Sequence, residues 1–190
     1  RMSPSAAVLL RTAGFGVEAA TVDGKAISGQ KATMLEGGSR VPLIVNWPGT
    51  TPAGKVNNSL TDFSDFFATF TDLAGAELPK NVTIDSRSFA PQIRGEKGTP
   101  REWVYVELNG KSYVRDARFK LTGAGEMFDL SDAPFKEIPV AKDTTDAHAK
   151  AARKSLQAVL DDHKAAPFEP QAQRPLQRAR ARQKQATKAE

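Results

Sequence analysis

Apolar and polar positions follow different periods in successive parts of this chain, and each period predicts a different element. Val41-Pro42-Leu43-Ile44-Val45-Asn46-Trp47-Pro48 is a nearly unbroken apolar run closed by Pro48-Gly49, the pattern of a strand covered on both faces. Between Ser59 and Ala74 the period changes. Leu60, Phe63, Phe66, Phe67, Phe70, Leu73 and Ala74 recur at three and four residues, while Thr61, Asp62, Asp65, Thr69 and Asp72 take the opposite side. This spacing predicts a helix with a core-facing aromatic stripe, Ser59 as N-cap with Asp62 three residues on, and Gly75 at the left-handed C′ position. Beyond Pro79 the texture shifts to short strands at 103–108, 111–115, 118–122 and 126–130. Asn109-Gly110 is a two-residue hairpin signal, so these strands are best joined as an antiparallel meander. A last helix from about 146 to 164 presents Ala149, Ala152, Leu156, Val159 and Leu160 to that sheet.

The two ends of the chain lack such periods. Residues 1–30 contain Gly14, Gly16, Gly24 and Gly29 and read as loop with a short strand. After Pro167 the chain is rich in Gln, Arg and Ala with few large apolar residues, too few to offset chain entropy, and it reads as a disordered tail.

Charge changes this picture only by location. From Lys164 onward there are seven basic residues against Glu169 and Glu190, which accounts for the whole net charge of +5 and leaves the rest neutral. The basic balance therefore describes a solubilising terminus rather than a polyelectrolyte groove, and nucleic acid is not an expected partner. The alternative is a binding module whose tail holds acidic polymers. Cysteine is absent, which removes disulfides, thiolate nucleophiles and Cys-based zinc sites. The apolar run at 6–10 is too short for a membrane span, and a targeting signal, if any, is expected upstream of Arg1.

The segment richest in candidate chemistry is Gly29-Gln30-Lys31-Ala32-Thr33-Met34-Leu35-Glu36-Gly37-Gly38-Ser39-Arg40, which leads into the apolar strand. Open α/β sheets hold ligands in loops beside strand ends, and Lys31 with Arg40 there would suit a tetrahedral oxyanion. The plainer alternative is a solvated Lys31 with Glu36 and Arg40 forming a local ion pair. His148 and His163 are too far apart for a two-histidine metal motif and read as surface or packing residues.

The run from Lys31 through Glu36-Gly37-Gly38-Ser39-Arg40-Val41-Pro42-Leu43-Ile44-Val45-Asn46-Trp47-Pro48-Gly49 resembles a segment shared by sulfatases. The similarity continues in order through Asp65-Phe66-Phe67-Ala68-Thr69-Phe70-Thr71-Asp72-Leu73-Ala74-Gly75, with Ala68 where proline is usual. It then runs through Asp85-Ser86-Arg87-Ser88-Phe89-Ala90-Pro91, with Ser86 where glycine is usual, and Arg94-Gly95-Glu96. Arg115, Phe119-Lys120-Leu121 and Glu126-Met127-Phe128-Asp129-Leu130 resemble the family's closing strands.

The resemblance implies the end of an alkaline-phosphatase-like α/β/α sandwich over residues 1–95, with 1–16 atypical. A small antiparallel sheet and helix subdomain follows over 96–166, and the basic tail occupies 167–190. It further implies hydrolysis of sulfate esters, with Lys31 contacting the sulfate as both catalytic and substrate-binding residue. It implies a divalent cation such as Ca²⁺ in the complete enzyme, and a periplasmic or secreted setting for it. The family's formylglycine motif, Cys/Ser-x-Pro/Ala-x-Arg, and its acidic and amide metal ligands are not found in this sequence. The chain is therefore expected to be inactive alone.

Overall fold

The computed structural model describes residues 7–10, 20–22, 24–27, 30 and 32–163. Lys31 and the basic tail lie outside the described residues. In chain order the elements are β1 (Ala7–Leu10), β2 (Ala20–Val22), β3 (Lys25–Ile27), the single turn α1 (Glu36–Ser39), β4 (Leu43–Asn46), α2 (Asp65–Leu73) and the short α3 (Ala90–Ile93). They continue with β5 (Val104–Leu108), β6 (Lys111–Arg115), β7 (Phe119–Thr122), β8 (Met127–Asp129), β9 (Ile138–Val140) and α4 (Ala147–Asp162).

Strands β5 to β9 form a five-stranded antiparallel meander in sequence order, of which the strand signals predict the first four. Its first hairpin turns at Asn109 and Gly110, whose φ values of 52° and 72° are the paired left-handed conformations of a type I′ turn. The fifth strand, β9, was not foreseen because Pro139 interrupts it. Proline is tolerated there because β9 is an edge strand, with Pro139 opposite Phe128.

One face of the meander carries Val114, Phe119, Leu121 and Met127, and α4 covers it with Ala149, Ala152, Leu156 and Leu160. The helix starts where predicted, since the Asp146 carboxylate accepts hydrogen bonds from the His148 and Ala149 backbone N–H groups.

The strand predicted at 41–47 is observed as β4, paired antiparallel with β1, with Val8 opposite Val45. It is not covered on both faces. Burial alternates along it and Ile44 is 55% exposed, because among the described residues no layer packs over that side.

Helix α2 departs further from expectation. It begins at Asp65 rather than Ser59, because Leu60 is extended and bridges Arg101. The capping box is shifted by three residues: Asp62 accepts from the Ser64 N–H, and Asp65 accepts from the Asp62 N–H. The far end is as predicted. Gly75, at φ 65°, and Ala76 donate to the Asp72 and Thr71 carbonyls in a Schellman arrangement.

The orientation of α2 is the reverse of the one its periodicity suggests. Asp65, Ala68 and Thr69 are buried, while Phe63, Phe67 and Phe70 are 72%, 52% and 52% exposed. The polar side faces inward because its groups are met there. Arg101 donates from Nε and Nη2 to the Asp65 carboxylate at 2.6–2.9 Å, and the Arg87 N–H adds a third donor at 2.7 Å. The Thr69 hydroxyl donates to the Asp65 carbonyl and accepts from the Phe89 N–H. Buried charge is tolerated when paired and hydrogen-bonded in this way, and breaking one partner leaves the other uncompensated.

Two outcomes follow for stability. Leu156→Ala, which empties part of the α4–sheet core, is expected to lower unfolding free energy by about 2–5 kcal/mol in urea titration. Burial pushes the Asp65 carboxyl up, but the Arg101 hydrogen bonds and the Arg87 and Asp62 N–H groups outweigh it and hold it below the usual aspartate range. A depressed carboxylate contributes stability that is present above its unfolded pKa and is lost as pH falls through its folded one. Thermal midpoints measured against pH should therefore fall on that acid limb, and Asp65→Asn should flatten it while lowering the neutral-pH plateau.

Candidate functional site

The segment around Lys31 is built on backbone hydrogen bonds and two glycines. The Gln30 carbonyl accepts from the Thr33 N–H at 3.0 Å and from the Thr33 hydroxyl at 2.7 Å. The Gln30 side-chain carbonyl accepts from the Gly37 N–H at 3.0 Å. This folds the chain back on itself so tightly that a Cβ on Gly38 would overlap the Thr33 carbonyl and stand 2.8 Å from that of Gln30. Ala32, directly after Lys31, has φ 62°, a left-handed conformation that costs an L-residue about 1–2 kcal/mol. Such strain persists only where surrounding contacts over-determine it, and it concentrates at functional sites.

The contacts that over-determine it come from the second face of the meander. Side chains alternate along a strand, so Tyr113, Arg115, Lys120 and Phe128 lie opposite the face covered by α4. The α1 turn sits on this face. Arg115 donates from Nη1 to Glu36 Oε2, and the Ser39 and Tyr113 hydroxyls share a hydrogen bond. Glu137 accepts from the Glu36 N–H at 2.8 Å. Lys120 donates to the other Glu137 oxygen and, at 3.1 Å, to the Met34 carbonyl. Its ammonium also lies 5.1 Å and 5.2 Å from the ring centres of Tyr113 and Phe128. Glu36, Lys120 and Tyr113 are almost wholly buried, so two carboxylates and two cations balance inside the protein.

Burial pushes the Glu36 carboxyl above the usual glutamate range, with Arg115 and Lys120 opposing that rise only in part. Its second oxygen, Oε1, is buried without a hydrogen-bond partner among the described residues. Burial likewise raises the Tyr113 hydroxyl.

The local Glu36–Arg40 pair considered from sequence does not form. Glu36 is taken by Arg115, and Arg40 donates to the Ala133 carbonyl at 3.2 Å. Lys120 and Glu137 were missed as partners. The available signal was a lysine between Phe119 and Leu121 in a strand that is apolar on its other face; burial of both faces makes that lysine an internal charge.

His148 is exposed, and His163 stacks near Trp103 and Tyr105, at 5.1 Å and 5.3 Å between ring centres. Beside His163 a cleft of about 440 Å³ includes Asp62, Arg87 and Arg101. Arg101 is already committed to Asp65 there.

Among the described residues no group of three His, Cys, Asp or Glu side chains lies close enough to hold a metal ion. The buried carboxylates Glu36, Asp65 and Glu137 each face a cationic side chain instead. The described residues thus do not fit the divalent cation that the family resemblance implies. No helix among them is long and apolar enough to cross a membrane.

Gly38→Ala should destabilise more than Gly37→Ala in thermal denaturation, by about 1–3 kcal/mol, because backbone must move in the first case and only the Gln30 side chain in the second. Arg115→Met should cost about 3–5 kcal/mol by stranding the buried Glu36 carboxylate. Combining it with Glu36→Leu should recover most of that loss in the same denaturation assay.

Comparison with known proteins places this arrangement. Residues 29–165 match the family model described as N-sulphoglucosamine sulphohydrolase, C-terminal. The chain is 45% identical over 95 residues to arylsulfatase D of Homo sapiens, covering 50% of this chain and 16% of that protein. It is 44% identical over 92 residues to steryl-sulfatase of Mus musculus, covering 48% of this chain and 14% of that protein. A putative sulfatase from Bacteroides thetaiotaomicron superimposes with a TM-score of 0.56 at 27% identity, over 74% of this chain and 32% of the other. The chain therefore spans only about a sixth of the curated relatives it matches. The resemblance seen in the ordered blocks from Lys31 to Leu130 is borne out, and the chain belongs to the sulfatase family as a C-terminal part.

Proposed function

We propose that this chain is the closing portion of a sulfate-ester hydrolase, contributing Lys31 as the sulfate-contacting residue and requiring the rest of a sulfatase for turnover. The observation that carries this reading is the burial of Glu36 against Arg115, which ties the segment beginning at Gln30 to the sheet. A rigid element is the kind of support a charge-stabilising residue needs, because misplacement by about 1 Å can cost roughly a hundredfold in rate.

The chemistry assigned to Lys31 is electrostatic. An ammonium beside the sulfate oxygens offsets their charge in the bound ester and as the S–O bond breaks, without itself transferring a proton. The nucleophile and the metal ligands would come from residues that this chain does not carry, which is why it is read as inactive alone. The relatives and the family model are named for aryl sulfates, steryl sulfates and N-sulphoglucosamine, so the shared feature is the sulfuryl group, held on oxygen or on nitrogen, and not one alcohol or amine.

Purified chain should release no p-nitrophenol from p-nitrophenyl sulfate, and sustained release would overturn the requirement for further segments. In a chimera where this chain replaces the superposing third of the Bacteroides thetaiotaomicron protein, Lys31→Ala should lower kcat/KM by about 10²–10³-fold. An unchanged kcat/KM in that variant would remove Lys31 from the site.

A further inference from the structure

The edge strand β5 carries aromatic side chains to the end of α4. Trp103, just before the strand, and Tyr105 within it are two residues apart and share a face, and Tyr105 stands opposite Val114 on the side that α4 covers. The helix ends at Asp162, and the next ring, His163, has its centre 5.1 Å from that of Trp103 and 5.3 Å from that of Tyr105. These three rings line the cleft of about 440 Å³ described above. Its volume lies within the roughly 300–1,000 Å³ usual for small-molecule sites.

The rest of the lining is polar and is fixed through its backbone. Arg101 Nη2 donates to the Asp85 carbonyl at 2.7 Å and to the Ser64 hydroxyl at 3.2 Å, in addition to Asp65. The Ser86 hydroxyl donates to the Ser64 carbonyl at 2.8 Å and accepts from the Ala68 N–H at 3.0 Å, and the Arg87 N–H meets Asp65. The main chain of residues 85–87 is thereby stapled to the start of α2. The Asp85 and Arg87 side chains remain exposed in the cleft and form no salt bridge among the described residues. A site whose walls are already held loses little freedom when it is filled.

One wall is aromatic and the other offers acceptors and a donor, which suits a ligand with an apolar face and a polar rim. A pyranose ring has that form: its axial C–H groups pack on aromatic rings while its hydroxyls donate to carboxylates and accept from a guanidinium. A wholly apolar ligand would strand the carboxylates without water. Charge narrows the class further. With Arg101 committed to Asp65, Asp62 and Asp85 face Arg87 as the remaining cation of the lining, and like charge disfavours a phosphate or sulfate there. We infer that this cleft binds a pyranoside carrying no anionic group, its C–H face against Trp103 and Tyr105 and its hydroxyls on Asp85 and Arg87. Neither Lys31 nor ester hydrolysis enters into this assignment.

Titration of the full chain with methyl β-D-glucopyranoside tests it, read by proton–nitrogen NMR of the indole groups of its two tryptophans. The Trp103 indole signal should move saturably in the millimolar range, while Trp47, outside the cleft, stays in place. Arg87→Ala and Asp85→Ala should each weaken binding by about tenfold. Their thermal midpoints should be unchanged, because the backbone groups that meet Asp65 and Arg101 are retained. Glucose-6-sulfate should bind no more tightly than the glucoside.

A Trp103 shift that stays linear up to about 0.1 M, or equal movement of both tryptophans, would overturn the site. Undiminished binding in both variants with their fold intact would do the same. Tighter binding of glucose-6-sulfate would overturn the ligand class, since the cleft would then select an anion.

Discussion

The structure depends on a charge that is not allowed to reach water. Glu36 lies in a single helical turn with its carboxylate buried against Arg115, and its backbone N–H is held by Glu137, which in turn holds Lys120. A buried carboxylate without such partners would be disfavoured by several kcal/mol. The turn therefore has one acceptable seat, on the second face of the meander. Satisfying Glu36 places Gln30 and residues 32–40 on that sheet. The tight approach at Gly38 and the left-handed Ala32 are tolerated because this seat is already determined.

The same logic operates at α2 with the opposite appearance. There the buried charge is Asp65, paired with Arg101, and satisfying it turns an aromatic stripe away from this chain's own core. Hydrophobic burial is non-directional, whereas a paired internal carboxylate accepts few geometries, so the ion pair decides the orientation and the phenylalanines are left facing outward. The two pairs share a plan. Each attaches a segment from the first half of the chain to residues at or beyond position 101, so the sheet and α4 act as the frame on which those segments are mounted.

The sheet itself is enclosed. Between α4 on one face and the α1 turn on the other, the meander is covered on both sides. Arg115 and Lys120 touch neither the cleft beside His163 nor any metal-binding cluster among the described residues. They connect the closing strands to the Glu36-Gly37-Gly38 turn and to Met34 just before it.

Much of this was determined by sequence alone. The pattern of the sequence was sufficient for the first four strands of the meander, the Asn109-Gly110 turn, the start of α4 near 146 and its inward face, because each depends on interactions within a few residues or on one apolar stripe meeting another. The ordered blocks from Lys31 to Leu130 were sufficient for the family. Three things were left to tertiary structure. Ser59 yielded the cap to Asp62, the edge strand at Pro139 formed by pairing with β8, and α2 turned its polar side inward. In each case the deciding partner is distant in sequence or supplied by a neighbouring element. Periodicity reports how apolar a face is; only the folded chain reveals which buried charges must be met first.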